Sequence, residues 1–121
     1  MDNKQHVIKV YLATWNDPDK NTIQQELAKW VTADIRYCDP FTDTLQGIQG
    51  LANVILQVSK SFPGMRHELV GDPAVHHTFG SYNWIARLSS GKKIPGVDYV
   101  EFSADGRIAQ IVTFTNMSDW G

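Results

Sequence analysis

Pro63-Gly64 divides this sequence into two halves with different hydrophobic periods. Before it, apolar residues recur every three or four positions, which is the spacing of amphipathic helices. After it, apolar and polar residues alternate, as in half-buried strands, and turn-forming residues interrupt the alternation. Helices grouped early and strands grouped late predict an α+β domain, with three helices packed on one face of a curved, mostly antiparallel sheet.

The first half predicts three helices with a short strand between the second and third. One apolar stripe marks each helix: Val7, Ile8, Tyr11, Leu12 and Trp15 before the turn Asn16-Asp17-Pro18-Asp19; Ile23, Leu27, Trp30 and Val31 after a cap at Asn21 or Thr22; and Leu51, Val54, Ile55, Val58 and Phe62. The intervening strand covers 35–39 and ends at Pro40, which lacks a backbone donor.

The second half predicts four consecutive antiparallel strands at 65–70, 77–88, 95–102 and 107–114. The turns between them are expected at Gly71-Asp72-Pro73, at Ser89-Ser90-Gly91 and at Ala104-Asp105-Gly106. In the last strand, Ile108 and Phe114 share one face while Ile111 and Thr113 share the other.

Composition narrows the function classes. The 121 residues suit a single domain over 1–121, and a net charge of −2 argues against a nucleic-acid partner. Cys38 is the sole cysteine, so neither a disulfide framework nor a thiolate cluster is expected. With no signal-peptide or membrane-span pattern, a soluble, cytoplasmic protein without membrane association is expected.

The sequence predicts no metal and no cofactor. His76-His77 cannot both face one side of a strand, and no other histidine spacing suits a metal site. A Gly-x-Gly-x-x-Gly or phosphate-binding loop is also lacking.

Two acidic residues fall on registers that otherwise carry apolar side chains. Asp39 is predicted to face the same side of its strand as Ile35 and Tyr37, and Asp98 the same side as Val100 and Phe102. An acid on a buried face is costly unless it is paired or neutral, which makes both candidates for a tuned site. For Asp39, a turn in which the carboxylate binds its own backbone is the alternative.

Several local sequences resemble the NTF2-like superfamily, a cone-shaped α+β fold that includes SnoaL-like proteins and ketosteroid isomerases. The segments that carry the resemblance are Gly96-Val97-Asp98-Tyr99-Val100-Glu101-Phe102 with Asp105-Gly106-Arg107-Ile108, and Cys38-Asp39-Pro40 followed by Gly47 and Gly50. The resemblance covers essentially the whole chain and implies one enclosed small-molecule pocket.

By resemblance to ketosteroid isomerases, Asp39 matches the catalytic base, while Tyr11 and a neutral Asp98 match the two oxyanion donors. The ligand implied is small and apolar or carbonyl-containing. The resemblance also implies a homodimer formed on the open face of the sheet, with Tyr99, Ile111 and Thr113 available for the contact. For Tyr11, a core tyrosine with an incidental hydrogen-bond partner is the alternative.

Seven residues are expected to line the pocket: Trp15, Val54, Val58, His67, Trp84, Val100 and Phe114. The alternative is an aromatic core with His67 as a satisfied core histidine.

Three functions remain open. The first is a ketosteroid isomerase-like or polyketide cyclase-like enzyme that abstracts a proton alpha to a carbonyl. The second is a ligand-binding or dimerisation module without chemistry. The third is a hydrolase or dehydratase, for which Arg87 is the strand arginine available between the two acids.

Overall fold

The computed structural model describes residues 3–121 and contains three α-helices. Their bounds are Lys4–Ala13 (α1), Lys20–Trp30 (α2) and Ile48–Ser61 (α3). Two short 3₁₀ turns, Thr14–Asn16 and Met117–Trp120, follow α1 and close the chain. None of the helices described in this range is long and apolar enough to cross a membrane.

Six strands form one sheet. Their bounds are Val31–Asp39 (β1), Thr42–Gln46 (β2), Arg66–His76 (β3), Phe79–Arg87 (β4), Lys93–Phe102 (β5) and Ile108–Thr115 (β6). The strand order is β2-β1-β6-β5-β4-β3, and every neighbouring pair is antiparallel except β1 and β6. The predicted α+β class, with helices packed on a curved and mostly antiparallel sheet, is confirmed.

β2 is a strand that the sequence did not predict. Its residues are mostly polar, and Leu45 is its sole large apolar side chain. It lies at the edge of the sheet and pairs only with β1, so little of it needs to be buried.

The turn expected at Gly71-Asp72-Pro73 lies instead inside β3. The pairing with β4 shifts between Val70 and Ala74, where three residues on β3 face one on β4. Such a bulge bends the strand without ending it. Gln5 of α1 donates a hydrogen bond to the Pro73 carbonyl at 2.9 Å, which ties the bend to the helix. The chain reverses later, at His77, where φ is +52°.

The cap of α2 is Asp19 rather than Asn21 or Thr22. Its Oδ2 accepts hydrogen bonds from the Thr22 amide at 2.9 Å and from the Thr22 hydroxyl at 3.0 Å. Asp19 has extended φ and ψ angles, the conformation in which an acidic side chain reaches the orphan amides of the first turn. Val31, expected on α2, begins β1.

A β-bulge in β6 determines which of its side chains face inward. Glu101 pairs with Gln110 whereas Phe102 pairs with Ile108, so Ala109 is one residue too many for the alternation. Ile108 and Ile111 are therefore both fully buried, and Thr113 also points inward. Phe114 faces out and is 58% exposed, contrary to the expectation that it shares the face of Ile108.

Candidate functional site

A cavity of about 480 Å³ lies between α3 and the inner face of the sheet. Its wall is largely aromatic, formed by Trp15, Tyr37, Phe41, Phe62, Trp84 and Trp120. Two carboxyl groups, those of Asp39 and Asp98, also line it, and none of the lining residues within the described part of the chain is lysine or arginine. The cavity thus combines apolar walls with a few polar groups, as small-molecule sites do.

Asp98 lies at the deep end of the cavity and is 3% exposed. Its Oδ2 accepts a hydrogen bond from the Tyr82 hydroxyl at 2.7 Å. Its Oδ1 accepts hydrogen bonds from Trp84 Nε1 at 2.9 Å and from the Thr113 hydroxyl at 2.8 Å. Burial raises the pKa of Asp98 above its ordinary value, these three donors lower it, and the Asp39 carboxylate raises it further.

The hydrogen bonds of Asp98 are those of an acceptor. A protonated Asp98 would have one O–H to donate, and Oδ2, which accepts a single hydrogen bond, could carry that proton while keeping its bond from Tyr82. The role of oxyanion donor expected for a neutral Asp98 stays a prediction. The observed contacts show that Asp98 holds Trp84 and Thr113 in place in the wall.

Asp39 ends β1, is half-buried and lines the cavity nearer its mouth. Its Oδ2 accepts a hydrogen bond from the Tyr37 hydroxyl at 2.7 Å, and its Oδ1 accepts one from the Phe41 amide at 2.8 Å. The second bond is the turn that the Asp-Pro sequence favours. The predicted turn is thus present, and it orients the carboxylate along the cavity wall; the catalytic role of Asp39 stays a prediction.

Tyr11 is fully buried and is not among the residues that line the cavity. Its hydroxyl accepts a hydrogen bond from Trp15 Nε1 at 2.9 Å. Burial raises the pKa of Tyr11, and the Asp98 carboxylate adds to the increase. Tyr11 reaches the site through Trp15, whose indole it orients.

Five of the seven residues expected in the wall do line it: Trp15, Val54, Val58, His67 and Trp84. Val100 and Phe114 do not. Val100 is fully buried on the same face as Asp98, two residues further along β5, where it packs in the core next to Gly80. Phe114 faces away because of the bulge at Ala109.

Several residues of the wall could not be predicted from sequence patterns. Trp120, in the C-terminal 3₁₀ turn, contacts Phe62 with ring centroids 5.3 Å apart and Trp84 at 6.4 Å. A single tryptophan after the last strand has no periodicity that would assign it to the core. Thr113 was placed on the open face because the bulge in β6 leaves no mark in the alternation.

The remaining candidates lie outside the cavity. Arg87 is exposed and forms an ion pair with Glu68 at 2.7 Å. Cys38 is a half-buried free cysteine. Over residues 3–121, no group of three or more histidine, cysteine, aspartate or glutamate side chains is placed to hold a metal ion.

Comparison with known proteins gives no match to a family model or to a curated protein. Solved structures do match. A candidate isomerase of the SnoaL-like family from Agrobacterium tumefaciens has a TM-score of 0.86 and 29% sequence identity, over 94% of this chain and 98% of that one.

Two further structures are similar in fold alone. A protein with a ketosteroid isomerase-like fold from Catenulispora acidiphila, in complex with trimethylamine, has a TM-score of 0.77 at 10% identity, over 93% of this chain and 87% of that one. A candidate SnoaL-like polyketide cyclase from Jannaschia sp. CCS1 has a TM-score of 0.72 at 13% identity, over 93% and 86%. The likeness at 29% identity over nearly the whole of both chains supports the NTF2-like superfamily for this chain, and the two further structures share its fold.

Proposed function

We propose that this chain is an enzyme that binds a small, largely apolar carbonyl compound and removes a proton from the carbon next to the carbonyl. The observation that carries the proposal is the Asp39 carboxylate in the wall of an aromatic cavity that it shares with Asp98. The likeness to a candidate SnoaL-like isomerase at 29% identity, and a small ligand bound by a neighbour of the same fold, support it.

Asp39 is the base in this proposal. Its carboxylate takes the proton, the electron pair of the broken C–H bond forms the enolate double bond, and the carbonyl oxygen takes the negative charge. Returning the proton to a different carbon completes an isomerisation and regenerates Asp39. Proton transfer of this kind requires no cofactor. The Tyr37 hydroxyl and the Phe41 amide hold the carboxylate in one orientation for the transfer.

Asp98 and Tyr11 act as positioning residues. Asp98 anchors Trp84 and Thr113, and Tyr11 anchors Trp15, so each fixes part of the cavity wall. This replaces the roles of oxyanion donor that the resemblance implied for the two residues.

Substitution of Asp39 by asparagine is expected to lower the rate of isomerisation by roughly 10²- to 10⁴-fold, the usual contribution of a positioned general base. Asparagine has a similar shape but cannot accept the proton. The test uses cyclohex-3-en-1-one and bicyclic β,γ-unsaturated ketones, with formation of the conjugated enone followed by ultraviolet absorbance. Asp43→Asn is the matched control, because Asp43 is exposed and lies outside the cavity. Its rate is expected to equal that of the wild type.

Two outcomes would contradict the assignment. If Asp39→Asn binds these ketones and converts them at the wild-type rate, the base lies elsewhere. If the wild type binds them, as reported by fluorescence of the cavity tryptophans, but never converts them, the chain is a ligand-binding module of the same fold. No observation favours the hydrolase alternative, since Arg87 is outside the cavity and paired with Glu68.

We also propose that two copies associate through the outer face of the sheet. Ile111 and Thr113, expected there, point inward, and the exposed apolar side chains are instead Phe79, Val97 and Phe114. Val97 and Phe114 are paired across β5 and β6. Sedimentation at micromolar concentration should give a dimer, and Val97→Asp should give a monomer with unchanged thermal stability. A wild-type monomer would count against this surface.

A further inference from the structure

His67 is the second residue of β3, lines the cavity and is 8% exposed. Its imidazole lies between two indoles of the cavity wall, with ring centroids 5.2 Å from Trp15 and 5.5 Å from Trp84. Asn16 holds the backbone of the same residue from both sides. The His67 amide donates to Asn16 Oδ1 at 2.7 Å, and Asn16 Nδ2 donates to the His67 carbonyl at 3.0 Å. Both the ring and its backbone are thus fixed before any ligand binds.

The two ring nitrogens of His67 have different surroundings. Nδ1 is sealed from solvent and has no hydrogen-bond partner within residues 3–121. His67 belongs to the cavity lining, and with Nδ1 sealed, Nε2 is the ring nitrogen left for a ligand in the cavity. A neutral imidazole always has one N–H and one lone pair to satisfy.

The other polar groups deep in the cavity already donate to protein acceptors. Trp84 and Thr113 donate to Asp98, and Tyr37 donates to Asp39. Trp15 donates to Tyr11, and the Trp120 indole donates to the Thr115 hydroxyl. His67 differs from them, because no ring hydrogen bond of His67 exists within the described residues. Because Nδ1 is sealed within the fold, Nε2 is the ring nitrogen through which His67 can bind a ligand.

We propose that His67 binds the carbonyl oxygen of the ligand through Nε2–H and stabilises the negative charge that this oxygen acquires during proton removal. The inference rests on the proposed function for its chemistry, but the hydrogen bond itself does not require turnover. It assigns to His67 a role as oxyanion donor, beside the positioning roles proposed for Tyr11 and Asp98.

A neutral imidazole suits this role. Burial lowers the pKa of His67 to about 4, so the ring remains uncharged at neutral pH although Asp39 and Asp98 line the same cavity. An imidazolium would attract the Asp39 carboxylate and weaken it as a base. A neutral N–H can polarise a carbonyl without transferring a full proton to it.

The test uses [1-¹³C]cyclohex-2-en-1-one, a conjugated ketone, with three substitutions of His67. Glutamine places its amide where Nε2 lies, asparagine places its amide where Nδ1 lies, and phenylalanine keeps the ring shape without a polar atom. Bound to the wild type, the carbonyl carbon should resonate downfield of its position in buffer, because its oxygen accepts a strong hydrogen bond. His67→Gln should retain part of this shift, and His67→Asn and His67→Phe should lose it.

The same variants should also differ in their rates of isomerisation. Loss of one oxyanion donor typically costs about 10²- to 10³-fold in turnover, so His67→Phe should fall by that factor and His67→Gln by less. Equal downfield shifts in the wild type and in His67→Phe, with the ketone bound to both, would overturn the inference.

A second measurement requires no variant and remains decisive if one of them does not fold. In wild-type protein labelled with ¹⁵N-histidine, addition of the ketone should move the Nε2 resonance of His67 more than its Nδ1 resonance. Unmoved His67 resonances at saturating ketone would also overturn the inference. If both measurements support the contact while Asp39→Asn keeps its rate, the proposed chemistry fails and the binding role of His67 stands.

Discussion

Replacing Gly96 by alanine is expected to destabilise the fold by about 3 kcal/mol or more, at the upper end of overpacking substitutions. Gly96 pairs with Trp84 across β4 and β5, and the indole of Trp84 lies directly over it. A Cβ atom at this position would overlap three atoms of that ring. Trp84 cannot swing away cheaply, because its Nε1 donates to the buried Asp98 carboxyl at 2.9 Å.

The measurement is the urea midpoint of Gly96→Ala beside that of Gly50→Ala. A Cβ atom at Gly50 would meet only the end of the Leu45 side chain, at 3.3 Å, and alanine favours the helix to which Gly50 belongs. The same chemical change should therefore cost little at Gly50. Similar midpoints for the two variants would show that Trp84 is free to move and that the deep wall is not rigid.

Acidification from pH 7 to pH 4 is expected to cost about 3 kcal/mol of stability through His67 alone. Burial lowers the pKa of His67 from 6.5 to about 4 in the folded chain. The unfolded chain therefore takes up a proton first as the pH falls. The contribution of His67 is complete above pH 6.5 and is lost progressively towards pH 4. Asp98 acts in the opposite direction, because a raised pKa gives stability that is lost as pH rises through that pKa.

Free energies of unfolding in urea, measured at intervals between pH 7 and pH 4.5, test this effect. His67→Gln should remove most of the decline, although it also changes stability at neutral pH. His76→Gln is the control, because His76 is exposed at the end of β3, and it should decline like the wild type. If His67→Gln and the wild type decline in parallel, the histidine is not held neutral by burial.

Hydrophobic period was sufficient to predict the class of the fold but not its irregular parts. The stripes of α1 and α3 and the strands on either side of Ala104-Asp105-Gly106 follow from local spacing, and the structure has them. β2 was not predicted, because an edge strand needs few apolar residues and so lacks a clear hydrophobic pattern. Gly71-Asp72-Pro73 has the composition of a turn, yet the flanking residues continue to pair with β4 and turn it into a bulge.

The residues of the candidate site were likewise predictable where the strands are regular and not where a bulge interrupts them. The alternation of side chains along each strand was enough to place Asp39, His67 and Asp98 on inward positions. The register shift between Tyr37 and Asp39 adds its extra residue to β2, so the alternation within β1 continues as far as Asp39. In β6 the extra residue, Ala109, reverses which side chains face inward after it. Thr113 therefore lines the cavity, and Phe114 does not. The alternation of side chains along a strand does not tell which groups a side chain will form hydrogen bonds with. The three side chains that donate to Asp98 come from β4 and β6, and only tertiary structure brings them together.

In the proposed function, Asp39 removes a proton alpha to a carbonyl within the cavity. Exchange of the α-protons of cyclohexanone in D₂O, followed by ¹H NMR, tests it without knowledge of the natural substrate. We expect the wild type to exchange these protons well above the buffer rate, and we expect Asp39→Asn not to exceed that rate. If cyclohexanone binds to the wild type, as shown by a change in the fluorescence of the cavity tryptophans, but its protons exchange only at the buffer rate, Asp39 is not a base for such ketones.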